Sequence, residues 1–322
     1  MAFNVFKGSG PIERPADAPP LDPLRDPAGY RSGTELANAV NVALALRMPL
    51  LVTGEPGTGK TQLAYRMAAE LGLGEVLRFD TKSSSVAHEL FYQFDSIRQF
   101  AQSQLHATAG RELPPAREFL RLSALGQAIV WTLPPETVAD RLGAAWRHAK
   151  PVRSLVLIDE IDKAPRDFPN DLLNQIENLE FMVPELGQQF RAAPELAPVV
   201  VISSNSEKQL PEPFLRRCVY HHIEFPKDKA ELEEILGARL AKLKLGGPAF
   251  DEALSLFFKV RADAGFAKKP STSELLDWLR ALSAAGLEQA TPLKAQRGVL
   301  DTALGSLLKT REDLERGRTL LN

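Results

Sequence analysis

A single cysteine, Cys218, is present in 322 residues. No intrachain disulfide can form, so the fold must be held by a packed core, and a reducing, cytoplasmic setting is expected. An excess of either charge is lacking too: 39 Lys plus Arg meet 41 Asp plus Glu, a net charge of −2. That balance leaves no electrostatic footprint for nucleic acid or for an acidic membrane surface. No apolar run approaches the ~20 residues of a membrane-spanning helix. The first eight residues lack the apolar core of a secretory signal, so none is expected. Metal-ligand spacing is missing as well. His221 and His222 adjoin in a strand-like run, where neighbours face opposite ways and do not form a two-histidine site. No internal repeat is evident. What remains is a globular composition, long enough for one large domain or two moderate ones.

Against this background one stretch stands out: Gly54-Glu55-Pro56-Gly57-Thr58-Gly59-Lys60-Thr61. It follows the apolar run Pro49-Leu50-Leu51-Val52-Thr53 and precedes a helical pattern in which Leu63, Ala64, Met67, Ala68 and Leu71 share a face. Strand, glycine-rich turn and helix are the context a phosphate-binding loop needs. Glycines let backbone N–H groups turn inward around an anion, and the helix aims its positive end at the same place. Lys60 would reach the β and γ phosphates, and Thr61 would place a hydroxyl on Mg²⁺. Gln62, the next residue, completes the expected nucleotide-binding set.

Two further apolar runs end in polar groups. Ser154-Leu155-Val156-Leu157-Ile158-Asp159-Glu160 reads as a central parallel strand closed by two carboxylates. At the carboxyl edge of such a sheet, Asp159 would hold Mg²⁺ and Glu160 would polarise the attacking water. Pro198-Val199-Val200-Val201-Ile202-Ser203-Ser204-Asn205 reads as another buried strand. There Asn205 either orients a water against the γ-phosphate or is a plain turn residue. Arg216 and Arg217 precede a last strand, 219–225. They are either a solvated pair or a source of positive charge for a neighbouring subunit's γ-phosphate.

The rest of the chain frames these stretches. Residues 11–27 hold six prolines and read as an extended tail. A helix is expected over 32–47, with Tyr30 before it either an adenine contact or a packing residue. A strand is expected over 75–80. The interval 81–150 reads as a helical insertion, with patterns through Leu90, Phe91, Phe94 and Ile97, then around Leu122 to Val130, then over 138–149. Another helix is expected over 170–179, and 181–191 reads as a hairpin around Pro184-Glu185-Leu186-Gly187. Beyond Lys227 only helices are expected. These include one opened by the capping box Ser271-Thr272-Ser273-Glu274 and a last one starting at Thr291-Pro292.

In this order the residues resemble the AAA+ ATPases from Tyr30 to about Leu308, and within them the MoxR group. The motifs are the phosphate loop, Leu157-Ile158-Asp159-Glu160-Ile161-Asp162-Lys163-Ala164, and Leu210-Pro211-Glu212-Pro213-Phe214-Leu215-Arg216-Arg217. The resemblance implies a three-layer αβα domain over 28–226 with a five-stranded parallel sheet, then an all-α lid over 227–322. It implies ATP and Mg²⁺, rings that are commonly hexamers, and nucleotide between subunits. Lys60 and Thr61 match Walker A, Asp159 and Glu160 match Walker B, and Asn205 matches the sensor-1 polar residue. Arg217 aligns best with the arginine finger, with Arg216 second. Such proteins remodel, activate or mature protein partners, often ones with a von Willebrand factor A domain. The alternatives are a nucleotide-gated binding module and a DNA-acting motor of restriction or helicase-loader type. One departure stands out: the place of the family's sensor-2 arginine is matched by Ser271-Thr272-Ser273-Glu274, which holds no arginine and leaves Arg280, Lys268 and Lys269 as candidates.

Overall fold

A computed structural model of the chain describes residues 7, 26–109, 112, 114–226, 228–240 and 246–320. The proline-rich stretch 11–25 lies outside the described residues. The chain divides into two compact units. Among the described residues, one holds 7, 32–53 and 63–222, and the other holds 26–31, 54–62 and 223–320.

The first unit is built on a parallel sheet. Its strands are β1 (Leu50–Gly54), β2 (Leu77–Asp80), β5 (Leu155–Asp159), β8 (Val199–Ser204) and β9 (Val219–Ile223), in the order β2-β5-β8-β1-β9. β1, β5 and β8 are buried at every position. This is why they read as unbroken aliphatic runs and not as alternating ones. Their register brings Asp80 level with Asp159, and Thr53 level with Ser204. Four strands thus end together at one edge, and the order reverses beside β1, the position where open parallel sheets receive ligands. Leu51, Val156, Ile158, Val200 and Ile202 pack with Leu125, Ile129, Val138, Phe168 and Leu172 into one core.

The insertion holds more than helices. Phe91 to Phe94 does not continue a helix. Tyr92–Phe94 forms β3, paired antiparallel with β4 (Leu120–Leu122), and Phe94 lies opposite Leu120. A partner that distant in sequence leaves no local signature. The helix of this region is Ser96–Ala109, and Ala124–Val130 and Pro135–Leu142 follow. Gly126 lies so close to β3 that an added Cβ would be 1.9 Å from the Phe91 carbonyl oxygen. The helix expected over 170–179 is two short pieces, Phe168–Asp171 and Leu173–Asn178, stopped by Leu179 in the left-handed region (φ 48°). β6 (Glu180–Val183) and β7 (Gln188–Arg191) then form the antiparallel hairpin.

The second unit's helices are Lys229–Leu240, Gly247–Ala262, Thr272–Ala284, Arg297–Leu307 and Arg311–Leu320. Ser271 caps the third, with both capping-box hydrogen bonds to Glu274 present. Leu232, Leu236, Phe257, Leu275, Trp278, Leu279 and Leu304 fill its core. The fourth begins at Arg297, after a 3₁₀ turn over Leu293–Ala295, and not at Thr291-Pro292. The last carries too few apolar residues to announce itself. It is tied down by the buried Asp313, which accepts the Ala267 and Lys268 N–H groups at 2.8 and 3.2 Å. No helix among the described residues is long and apolar enough to cross a membrane.

Candidate functional site

β1 delivers the chain to the glycine-rich loop, and the strand end is tied down before the loop begins. Thr53 Oγ1 lies 3.0 Å from the Tyr220 hydroxyl and 2.9 Å from His222 Nδ1, both on β9. The loop, in the second unit, then doubles back on itself. Lys60 is buried, with Nζ donating to the carbonyls of Gly54 and Glu55 at 2.8 and 2.9 Å. Thr58 Oγ1 donates to the Glu55 carbonyl at 2.8 Å. Gly57 has φ 77°, and a Cβ there would meet Ser271 Oγ at 2.5 Å, so the residue is fixed by its backbone and by its neighbour alike. Tyr30 is buried near Gly59, with Arg239 5.9 Å above its ring. Burial drives its hydroxyl pKa upward, against the pull of Arg239. Gln62 Oε1 is buried with no hydrogen-bond partner among the described residues. Helix Lys60–Glu70 opens directly from the loop, so its first N–H groups belong to the same anion-binding turn.

The acidic groups lie in the first unit, where the ends of β5 and β8 hold them. Asp159 is buried. Its Oδ1 accepts the Ser203 hydroxyl, and its Oδ2 lies 2.9 Å from Arg78 Nη2 on β2. Burial works against the Arg78 charge, but Asp80, Asp159 and Tyr65 outweigh it and raise its pKa. Glu160 has left-handed backbone, φ 56°, which a residue with a Cβ seldom adopts. Its N–H donates to Ser203 Oγ at 2.8 Å. Its carboxylate accepts Asn205 Nδ2 at 3.2 Å on one oxygen and Lys163 Nζ on the other. That hydrogen bond and charge hold the Lys163 pKa above the usual lysine range. Asp162, also buried, accepts the backbone N–H groups of Asn205 and Glu207 at 3.2 and 3.0 Å.

Asp159 and Glu160 are thus linked through Ser203, and Asn205 through its amide to Glu160. Two positioning residues were not foreseen. Ser203 closes the aliphatic run of β8, and Asp162 is a third acid after a carboxylate pair; both stand in the sequence as such. Arg217 and Arg216 lie elsewhere on this unit, on the turn before β9. Arg217 pairs with Glu177 at 2.9 Å and donates to the Pro213 carbonyl, while Arg216 pairs with Glu212. Burial pushes the neighbouring Cys218 thiol up to about 12, which disfavours its thiolate. Of the lid candidates, Lys268 faces Glu274 at 3.7 Å and Arg280 faces Asp277 at 3.8 Å. Among the described residues, Arg261 does meet the loop, 2.8 Å from Glu55.

The donor chemistry suits magnesium. Asp159 in the first unit and Thr61 in the second each carry a hard oxygen, and among the described residues no group of three or more His, Cys, Asp or Glu is placed to hold a metal ion. Mg²⁺ typically takes one or two carboxylates and completes its shell with phosphates and water. Comparison with known proteins gives no match to a curated protein. The model of the AAA domain (dynein-related subfamily), however, matches residues 49–218, just over half of the chain and the whole span from the phosphate loop to Arg217, so the chain belongs to that family of AAA+ domains.

Proposed function

We propose that this chain is a MoxR-like AAA+ ATPase, which hydrolyses ATP with Mg²⁺ at the subunit interfaces of a ring and uses the cycle to remodel, activate or mature a protein partner. The observation that carries the hydrolytic reading is the fixing of Glu160. A strained backbone, a serine beneath its N–H and an asparagine on its carboxylate aim one acid beyond the sheet edge. Residues held out of their preferred backbone region concentrate at functional sites. In this reading the loop N–H groups and Lys60 bind the β and γ phosphates. Thr61 and Asp159 would hold Mg²⁺, which would neutralise phosphate charge when bound. Glu160 takes the proton of the attacking water, and Asn205 orients that water through its amide. Arg217, after leaving Glu177, stabilises the γ-phosphate of the adjacent subunit, as an arginine finger does.

Exposed apolar groups support a protein partner. Ile97, Phe100 and Leu105 stand 85, 67 and 68 % exposed on helix Ser96–Ala109, and Met182 stands 59 % exposed on β6. Contiguous apolar exposure marks contact surfaces, and Ile97, Phe100 and Leu105 share one helix. The partner reading takes residues 86–100 and the hairpin over 181–191 as its docking side. A second reading has its own support. Lys163 on Glu160 engages the oxygen that would take a proton, which suits a nucleotide-gated binding module with slow turnover. The variant Glu160→Gln separates the two. It should bind ATP with parental affinity and lose ~10² or more of turnover. Hydrolysis at the parental rate would refute the base assignment.

A further inference from the structure

Arg261 ends helix Gly247–Ala262 and is engaged on three sides. Its guanidinium lies 3.4 Å from the Phe225 ring centroid. Nη1 donates to the Pro270 carbonyl at 2.6 Å, and Nη2 donates to Glu55 Oε2 at 2.8 Å. The side chain is 11 % exposed, against 52 % for Glu55. A guanidinium so committed to ring, carbonyl and carboxylate is not free to swing onto a ligand. Ser273, in contrast, touches the loop only through a hydroxyl, donating to the Gly57 carbonyl at 3.3 Å.

The loop carries one carboxylate of its own, Glu55, within a turn that otherwise offers N–H groups and Lys60. A carboxylate beside a bound polyphosphate repels it, and more strongly where solvent is partly excluded. We infer that Arg261 is a positioning residue for nucleotide binding that acts through Glu55. It neutralises that carboxylate and holds it on the Arg261 side, so the loop presents a net positive field to the phosphates. Nucleotide affinity then depends on where the helical unit holds Arg261, which makes Glu55–Arg261 the coupling between lid helices and loop. This rests on the ATP reading above.

The test is a titration of the full chain with fluorescent ADP and ATP analogues. Arg261→Met should weaken both about fivefold or more, the size expected of one uncompensated charge near a polyanion at moderate salt. Glu55→Gln alone should bind somewhat more tightly than the parent. The double variant Glu55→Gln/Arg261→Met should return to within about twofold of the parent. That rescue is the decisive outcome, because a direct phosphate contact or a mere packing role predicts that the double variant stays as weak as Arg261→Met. Either that result or parental affinity in Arg261→Met overturns the inference. If Arg261→Met fails to fold, Arg261→Lys keeps the charge and should lose less than about twofold; a larger loss would overturn the inference. Lys60→Ala separates the two levels. If it binds nucleotide as the parent does, the ATP reading itself fails and this inference with it.

Discussion

Ser203→Ala removes one oxygen from the strand that carries it and tests how the acidic pair is held. Ser203 is fully buried in β8, between the two acids: it donates to Asp159 Oδ1 and accepts from the Glu160 N–H at 2.8 Å. The volume change is a single atom, so any cavity contribution is small. The loss is the pair of hydrogen bonds, one of them to a charged group, and orphaning such groups costs ~1–3 kcal/mol each where burial is complete. Glu160 is only half-buried and its N–H can find water, so ~2 kcal/mol is expected in all. For a unit of this size that is a fall of roughly 4–8 °C in melting temperature. Trp131 and Trp146, both in this unit, report it by fluorescence.

Turnover should fall further than stability explains. The left-handed conformation of Glu160 is disfavoured by ~1–2 kcal/mol for a residue with a Cβ, and the Ser203 hydrogen bond is what offsets it. Released from that bond, the residue relaxes and its carboxylate drifts from the water it should activate. A misplacement of about 1 Å can cost ~10²-fold, so a loss of tenfold or more in ATP turnover is expected with nucleotide affinity unchanged. Ser203→Thr keeps the hydroxyl and should recover most of the turnover even where the extra methyl lowers stability. A Ser203→Ala protein that melts and hydrolyses like the parent would refute the reasoning.

Other outcomes follow from single contacts. Arg217→Ala should leave nucleotide binding intact and remove most ATP hydrolysis; an equal loss of binding in a titration would place Arg217 within its own subunit's site. Gly126→Ala should destabilise by ~3 kcal/mol or express insolubly, because its Cβ would overlap the Phe91 carbonyl; a parental urea midpoint would contradict the packing. Asp313→Asn should destabilise by ~1–3 kcal/mol at neutral pH through its N–H partners. Burial pushes the Asp313 pKa up, but the Ala267 N–H, the Thr310 hydroxyl, the Lys268 N–H and Arg316 outweigh it and hold it below the ordinary value. Its contribution is therefore complete above about pH 4 and lost as pH falls through the lowered native value, and acid unfolding monitored at Trp278 should be shallower in Asp313→Asn. Shortening the hairpin by residues 184–187 should spare assembly in sedimentation while weakening partner capture; loss of assembly would overturn the docking side.

Much of the sheet unit was legible because its signals are local. Aliphatic runs as dense as Leu155–Ile158 or Val199–Ile202 have few stable homes other than a strand covered on both faces. Polar residues ending such runs fall at the sheet edge by construction, so Asp159, Glu160 and Asn205 could be grouped before their distances were known. The insertion was less legible for the same reason inverted. Tyr92-Gln93-Phe94 is three residues long, and what makes it a strand is its partner at Leu120–Leu122, not anything within it. Helix Arg311–Leu320 hides similarly: its anchor is the buried carboxylate of Asp313, a residue type that pattern reading assigns to solvent.

Arg261 shows where motif reasoning stops. At Ser271-Thr272-Ser273-Glu274, the place where the resemblance implies a lid cation, there is no basic residue. Alignment by position cannot find a residue that reaches the loop from a different helix. Yet Glu55 carried a hint. An acid inside a phosphate-binding loop is electrostatically misplaced unless something neutralises it, and with balanced charge overall that cation had to be a specific one. Glu55 therefore poses the question of which basic residue sits beside it. Only the fold could answer it, because Glu55 and Arg261 are 206 positions apart in the chain.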